Sequence, residues 1–167
     1  MTDRGDFDAF FGEDFPRLVL VLLKSGAGYH DAQDAAQEAM VALYRAWAGV
    51  DSPRPWVRTV ALRIWWRRPP PHLGLGEHPG PPVGDNPLDV EEEKWRVVEL
   101  MRCLPPAQRA VVALHYDGFS TKEIRTIIAG AGAVRSEATV RSSLRHGRRR
   151  LEAILASEGI TMSGSAS

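Results

Sequence analysis

The chain has a single cysteine, Cys103, among its 167 residues, so it can form neither an internal disulfide nor a cysteine-based zinc cluster. We expect this thiol to be buried and inert, because it lies in an apolar stretch. A hydrophobic run long enough to cross a bilayer is also missing, since the longest, Leu18–Leu23, is far too short. Residues 1–6 are polar and acidic, unlike a signal peptide. These absences predict a cytoplasmic protein without membrane insertion.

Motifs for catalysis are missing as well. The chain has no glycine-rich phosphate loop after a strand, no nucleophile elbow and no His-x-x-x-His pair on a helix. Its five histidines are scattered, and His115 is interpreted as an ordinary helix residue rather than a catalytic base. The sequence therefore favours a protein that is not an enzyme and that needs no cofactor or metal.

Net charge is absent too, because 21 basic residues balance 21 acidic ones. A uniformly basic protein that coats DNA is thereby excluded. The charges are nevertheless segregated. Residues 1–47 and 73–104 are mainly acidic, whereas residues 48–72 and 135–155 are mainly basic. This alternation is typical of a protein that touches DNA at two places.

Hydrophobic periodicity predicts helices throughout, and no strand pattern is convincing. Proline and glycine dominate residues 69–87, which predicts a flexible acidic linker. We therefore predict an all-α protein with two small helical domains, residues 7–68 and 91–155, a linker over 69–90 and a disordered tail over 156–167. The helices are expected at residues 7–24 with a break at Pro16, 32–48 with Asp31 as cap, 56–68, 90–104, 106–116, 119–128 and 136–155.

The last two helices resemble a DNA reader. Ser120 and Glu123 are spaced as a capping box at the start of the shorter one. In the longer one, apolar residues recur at helical spacing on one side and arginines occupy the other. A short helix, a turn and an arginine-bearing helix form the layout of a helix-turn-helix. The residues that we expect to meet DNA are Ser136, Glu137, Thr139, Arg141, Ser142, Arg145, Arg148 and Arg149.

Two further surfaces are candidates for binding. An acid–amide stripe lies opposite the apolar face of the second helix, and it either is a solvated face or binds a basic partner. Its members are Asp31, Gln33, Asp34, Gln37 and Glu38. The third helix interleaves arginine and tryptophan, a combination that holds phosphates and stacks on unpaired bases. Its candidate residues are Arg58, Arg63, Trp65, Trp66, Arg67 and Arg68. Since Trp65 and Trp66 are adjacent, at least one is expected to be available.

Together these segments resemble the extracytoplasmic-function (ECF) class of bacterial RNA polymerase sigma factors, over roughly residues 7–155. The resemblance is carried, in the family's usual order, by Phe7-Asp-Ala-Phe-Phe with Phe15-Pro-Arg-Leu-Val, Asp31-Ala-Gln-Asp-Ala-Ala-Gln-Glu, Pro55-Trp-Val-Arg-Thr-Val-Ala, Leu104-Pro-Pro-Ala-Gln-Arg-Ala-Val and Thr139-Val-Arg-Ser-Ser-Leu-Arg-His-Gly-Arg-Arg-Arg-Leu.

The resemblance implies a factor that binds core RNA polymerase, directs it to a set of promoters and promotes DNA melting. The stripe would meet the polymerase clamp, residues 58–68 the melted minus-ten element, and residues 136–149 the minus-thirty-five duplex. The second domain would also touch the polymerase flap, and the acidic linker would thread the catalytic cleft. An anti-sigma factor is a candidate further partner.

The chain departs from the family pattern at two places. Arg63 stands where the family usually has asparagine, and Gly130–Arg135 makes the segment before the last helix longer than the family turn. Two alternatives remain open at this point. One is a helix-turn-helix regulator with an N-terminal sensing or dimerisation domain, and the other is a helical adaptor that binds only protein. Co-purification with polymerase would separate the sigma factor from both.

Overall fold

The computed structural model describes residues 4–69 and 92–159, and within these ranges all regular structure is helical. The predicted all-α class is confirmed. Residues 70–91, which include most of the predicted linker, lie outside the described residues. The helices are α1 Arg4–Lys24, α2 Tyr29–Ala46, a 3₁₀ turn Trp47–Gly49, α3 Pro53–Arg67, α4 Glu92–Met101, α5 Pro106–Tyr116, α6 Thr121–Ala131 and α7 Glu137–Ser157.

The break expected at Pro16 does not occur. Helix α1 is continuous through this proline, which removes one backbone donor from the helix. The following turns bury Leu18, Leu22 and Leu23 almost completely. Burial of each such side chain is worth about 1.5–3 kcal/mol, so packing outweighs the local cost of the proline.

The start of α2 was also predicted wrongly. The helix begins at Tyr29, with Gly28 as the residue before it and no side-chain cap, so Asp31 lies inside the first turn. Tyr29 is almost fully buried, and its ring centroid lies 5.9 Å from that of Trp95. This contact with a residue far along the chain explains why the helix starts earlier than the local signal indicates.

A single apolar core joins helices from both ends of the chain. Leu22 of α1, Leu62 of α3, Leu114 of α5 and Ile127 of α6 all belong to this buried cluster. Helix α1 packs against α2, α3, α4 and α5, while α3 packs against both α2 and α6. The helices that precede residues 70–91 and those that follow them are therefore in direct contact.

The ends of α4 and α7 differ from the expectations drawn from the sequence. Cys103 is exposed rather than buried, because α4 ends at Met101 and the chain then turns towards Leu104, which is buried instead. Helix α7 runs to Ser157, two residues into the segment predicted to be a disordered tail, and residues 160–167 lie outside the described part. No helix among the described residues is both long and apolar enough to traverse a membrane.

Candidate nucleic-acid and protein interfaces

The helix pair α6–α7 begins with two well-formed caps. The Glu123 amide donates to the Ser120 hydroxyl at 3.2 Å, and the Ser120 amide donates back to the Glu123 carboxylate at 3.0 Å, so the predicted capping box is confirmed. The backbone hydrogen bond from Ser120 lowers the pKa of Glu123. At the start of α7, the Thr139 amide donates to the Ser136 hydroxyl at 3.1 Å. These caps fix where both helices start.

Helix α7 has two distinct sides. Val140, Gly147 and Leu151 are buried against the core. At Gly147 the helices approach closely, because a Cβ atom there would lie only 2.6 Å from Val112 Cγ2. The opposite side carries the exposed side chains Ser136, Thr139, Arg141, Arg145, Arg148 and Arg149, together with the partly buried Glu137 and Ser142. The eight predicted residues thus share one accessible side of α7 and its N-cap.

The extra residues before α7 do not all lengthen the turn. Helix α6 continues to Ala131, three residues beyond its predicted end, and Gly132 terminates it with a positive φ of 116°. Part of the added length therefore extends α6 and places Gly130 in its last turn. This glycine packs directly against Thr59 of α3, since a Cβ atom at Gly130 would lie 2.7 Å from Thr59 Cγ2.

The acid–amide stripe follows one side of α2. The side chains of Asp34 and Glu38 are 65% and 61% exposed, and Gln37 is exposed as well. Gln33 is half-buried, and its amide donates to the Tyr29 hydroxyl at 3.1 Å. The apolar side chain of Val41, which is 51% exposed, lies beside the stripe and was missed by the sequence interpretation. An exposed apolar group flanked by carboxylates is suited to a protein partner.

Arg68 pairs with this stripe. Its guanidinium nitrogens lie 3.3 Å from an Asp31 oxygen, 3.9 Å from an Asp34 oxygen and 3.3 Å from a Glu38 oxygen. A residue predicted to bind DNA is thus connected to the surface predicted to bind protein. Each of the carboxylates keeps more than a third of its surface exposed, so each single ion pair contributes little to stability.

Arg58 is completely buried, in contrast to the expectation that it faces DNA. Its guanidinium donates to the carboxylates of Asp14 in α1 and of Asp117, the latter at 2.8 Å. Burial by itself would lower the pKa of Arg58, but its hydrogen bonds to these two carboxylates and the attraction of their charges together outweigh burial and raise the pKa. Arg58 lies four residues before the buried Leu62, so its position on the apolar side of α3 was the signal available in the sequence.

Phe119 and Arg54 complete this cluster. The Arg54 and Arg58 guanidinium carbons lie 4.9 Å and 5.8 Å from the centre of the Phe119 ring, distances at which a cation is attracted to an aromatic face. Arg54 also donates to the Asp117 carbonyl at 2.9 Å. The sequence interpretation did not assign roles to Asp14, Asp117 or Phe119, because their partners are distant in sequence.

The remaining candidates on α3 lie near its C-terminal end. Arg63 donates two hydrogen bonds, at 3.1 Å and 2.8 Å, to the carbonyl of Gly130. Trp65 and Trp66 are both partly buried against the core, and neither is wholly available or wholly buried. Arg67 is exposed. The structure thus brings Arg63 to the other half of the molecule and leaves Arg67 at the surface.

Comparison with known proteins places these helices in a family. Residues 13–68, which span most of α1 together with α2 and α3, match the model for Sigma-70 region 2. An RNA polymerase sigma-E factor of Streptomyces avermitilis is 31% identical over 134 residues, covering 73% of this chain and 72% of the relative. One of Streptomyces antibioticus is 30% identical over 131 residues, with 73% and 71% coverage. One of Streptomyces coelicolor is 30% identical over 118 residues, with 64% coverage of each.

Proposed function

The chain belongs to the ECF-type sigma factors of bacterial RNA polymerase, and from that premise we propose how its helices divide the work of initiation. A sigma factor binds core polymerase, directs it to a set of promoters and promotes melting of the DNA. The region 2 match over residues 13–68 carries this conclusion, together with relatives whose similarity extends over most of the chain. Neither a regulator with a sensing domain nor a protein-only adaptor accounts for that match.

The stripe on α2 is proposed to bind the polymerase clamp. Asp31, Asp34 and Glu38 present carboxylates, and Gln33 and Gln37 present amides, along the same helix. Val41 adds an exposed apolar contact at the edge of the carboxylates. Complementary charge would steer the encounter with a basic partner surface, and the apolar contact would stabilise the complex once formed.

The C-terminal part of α3 is proposed to hold the minus-ten element once its strands separate. Arg63, Arg67 and Arg68 would contact phosphates, while Trp65 and Trp66 keep part of each ring accessible for stacking on bases. Arg58 was predicted to join them, and it could do so only if it left its buried pairing with Asp14 and Asp117.

Helix α7 is proposed to read the minus-thirty-five duplex. Its N-terminal residues Glu137, Thr139 and Arg141 would reach the bases, and the later arginines would contact the backbone, as in other helix-turn-helix proteins. Ser136, Ser142 and the exposed arginines Arg145, Arg148 and Arg149 complete the surface. The polymerase flap and an anti-sigma factor are proposed as further partners of the molecule.

Run-off transcription tests the proposed function. Purified core polymerase, with and without the full chain, is incubated with genomic fragments, and the transcripts are sequenced. We expect defined start sites that appear only when the chain is present. A chain that neither co-purifies with core polymerase nor directs any new start site would contradict the proposal. DNA binding without polymerase binding would favour the helix-turn-helix regulator instead.

A further inference from the structure

We propose that the free chain is held closed by contacts between α3 and both ends of α6, here called the latch. The latch consists of Arg54, Arg58, Thr59 and Arg63 on α3, with Asp117, Phe119 and Gly130 opposite them. In this closed arrangement Arg58 and Arg63, two of the residues assigned to the minus-ten element, are engaged within the protein, while the recognition helix stays open. The inference rests on the proposed assignment of α3 to melted DNA.

The first part of the latch is a pair of hydrogen bonds at the C-terminal end of α6. The carbonyls in the last turn of a helix have no partner within the helix, and their dipoles favour a nearby cation. Arg63 satisfies one of them, donating from Nε and Nη2 to the Gly130 oxygen at 3.1 Å and 2.8 Å. The guanidinium that would contact a DNA phosphate therefore already has a partner in the same molecule.

The close approach of α6 to α3 at Gly130 makes the pairing of Arg63 with the Gly130 carbonyl possible. Its Cα packs so close to Thr59 that any Cβ atom would lie 2.7 Å from Thr59 Cγ2, closer than carbon atoms approach in real structures. Any residue with a Cβ atom at position 130 would require Thr59 or α6 to shift, and the hydrogen bond from the Thr59 hydroxyl to the Pro55 carbonyl opposes a change of the Thr59 rotamer. The absence of a side chain at this position thus lets the two helices meet, and it gives a direct means of separating them.

The second part of the latch lies just before the N-terminal end of α6. Asp117 pairs with Arg58 and Arg54, and Phe119 packs its ring against both guanidinium groups. Arg58 has no exposed surface and Asp117 is 8% exposed, so this charge pair is shielded from solvent and from salt. Opening would take Asp117 away and leave Arg58 with Asp14 as its remaining carboxylate partner, so the closed arrangement keeps the larger set of charge contacts.

The two departures from the family pattern meet each other in the latch. Arg63 replaces the usual asparagine, and the added length before α7 extends α6 far enough to present the Gly130 carbonyl to it. An asparagine side chain is shorter and could not supply the same forked pair of donors. The two features that depart from the family pattern in the sequence are therefore partners in one contact.

The latch acts unequally on the two DNA-binding surfaces. Arg58 is buried and Arg63 is engaged, whereas Arg141, Arg145 and Arg148 on α7 are exposed. The free chain should consequently bind upstream duplex but capture melted minus-ten DNA poorly.

An opening variant gives the first test. Gly130→Ala should force α6 away from α3, while leaving Arg63 and every other assigned DNA contact in place. Thr59→Ser removes only the clashing methyl group and keeps the hydroxyl that donates to the Pro55 carbonyl at 2.9 Å. The double variant Thr59→Ser/Gly130→Ala should therefore close again. Small-angle scattering of the free proteins should show a larger radius of gyration for Gly130→Ala and a normal one for the double variant.

A locking variant gives the second test. A Cβ atom at Gly130 would lie 3.9 Å from Thr59 Cβ, within the range of about 3.5–4.5 Å that a disulfide spans. Thr59→Cys/Gly130→Cys is made in a Cys103→Ser background, so the new pair contains the only two thiols. Thr59→Cys/Cys103→Ser is the matched control for oxidising conditions.

Two DNA probes read the locked state. They are the non-template minus-ten strand and the upstream duplex of a promoter recovered by run-off transcription. Holoenzyme assembled with the oxidised pair should fail to capture the single strand, and a reductant should restore capture. Binding of the upstream duplex to the free chain should be equal in both redox states. If about a tenth of the natural chain's molecules are open, Gly130→Ala should bind the single strand about tenfold more tightly than the natural chain.

The outcomes separate the latch from the proposed function. Equal single-strand capture by the oxidised and reduced pair, or an unchanged radius for Gly130→Ala, would overturn the latch. If no form of the chain binds core polymerase, the proposed function fails. In that case the radii of gyration of Gly130→Ala and of Thr59→Ser/Gly130→Ala still decide whether the contacts between α3 and α6 close the molecule.

Discussion

Among single residues, Arg141 illustrates the contrast between reading bases and holding phosphates. It lies in the first turns of α7, and its guanidinium is 3.1 Å from the Glu137 carboxylate one turn earlier. The two side chains are 61% and 42% exposed, so this pair constrains Arg141 only weakly. Arg141 can therefore exchange Glu137 for a guanine edge, whereas Arg148 lies two turns later, where the helix leaves the groove.

We expect Arg141→Ala and Arg148→Ala to weaken DNA binding in different ways. Loss of a bidentate base contact should cost about 1–3 kcal/mol at the cognate site and relax preference at one base position. Loss of a phosphate contact should weaken all sequences alike and reduce the salt dependence by about one unit of slope. Competition binding of the full chain to cognate and scrambled duplexes at several salt concentrations measures both effects.

Arg96→Ala is the matched control for this comparison. Arg96 is an exposed arginine of α4, and its partner Glu158 lies 3.6 Å away, beyond the end of the recognition helix. Its removal lowers the net charge by the same amount and should leave both duplexes unaffected. Equal losses for cognate and scrambled DNA with Arg141→Ala would mean that Arg141 contacts only phosphate.

Substitution by alanine should change the free energy of unfolding in opposite directions at two helical glycines. At Gly147 a Cβ atom would lie 2.6 Å from Val112 Cγ2, whereas at Gly12 it would meet nothing within 4 Å. Alanine favours a helix over glycine by about 1 kcal/mol, while overpacking a core costs about 1–3 kcal/mol. Gly12→Ala should thus raise the free energy of unfolding and Gly147→Ala should lower it. Urea unfolding measures both, and a gain in stability for Gly147→Ala would show that α5 and α7 separate readily.

For single residues, the sequence predicts the type of chemical group better than the position of its side chain in the fold. The arginines of α7 were correctly expected on its exposed side, because each lies opposite a run of apolar residues on the same helix. Arg58 and Cys103 were assigned to the wrong environments. The burial of Arg58 depends on carboxylates 44 and 59 residues away in the chain, which no local pattern specifies.

Individual helices were predicted best where their ends are set by local hydrogen bonds. The capping box at Ser120 and the cap at Ser136 both involve a partner three residues along, so spacing alone identifies them. The start of α2 was wrong because Tyr29 packs on Trp95, a contact between distant segments. Helix α1 continues through Pro16 for a similar reason, since the leucines that follow are held by the shared core.

The stripe on α2 gives the prediction for a whole helix face. Asp34→Lys/Glu38→Lys reverses two charges on its most exposed part, so binding to core polymerase should weaken. Folding should change by less than about 0.5 kcal/mol, because both positions are exposed and each pair with Arg68 is weak. A pull-down with core polymerase measures binding, and circular dichroism checks the fold.

Asp8→Lys/Glu13→Lys provides the charge-matched comparison. Both residues are exposed on α1, so the variant changes the net charge equally without altering α2. It should bind polymerase normally. If both double variants lose binding to the same extent, overall charge rather than the stripe governs the interaction.

For the molecule as a whole, the shared core predicts cooperative unfolding. Buried side chains from α1, α3, α5 and α6 belong to one cluster, so neither half should lose its packing independently. Calorimetry of the natural chain should give a single transition whose calorimetric and van't Hoff enthalpies agree. Gly130→Ala should broaden or divide that transition, and Thr59→Ser/Gly130→Ala should restore it. Two transitions in the natural chain would show that the halves are energetically independent.

The contact between the halves is the part of the fold that sequence reasoning could not supply. Proline and glycine over residues 69–87 predict an interruption of the helices, which lies mostly outside the described residues, and they carry no information about what the later helices touch. The contacts of Arg58 with Asp117 and of Arg63 with Gly130 bridge 59 and 67 residues. Pairings at such separation depend on the packing of several helices at once, whereas helical periodicity reports only on one.

Arg68 couples binding at the stripe on α2 to binding at the C-terminal end of α3. One guanidinium serves three carboxylates of α2, so a partner that captures those carboxylates releases the arginine. A phosphate that captures the arginine must, by linkage, expose the carboxylates to the same degree. If both surfaces bind as proposed, occupancy of either one should therefore raise the affinity of the other by a small factor, because each ion pair is weak, and promoter DNA should prolong the residence of the polymerase on the chain.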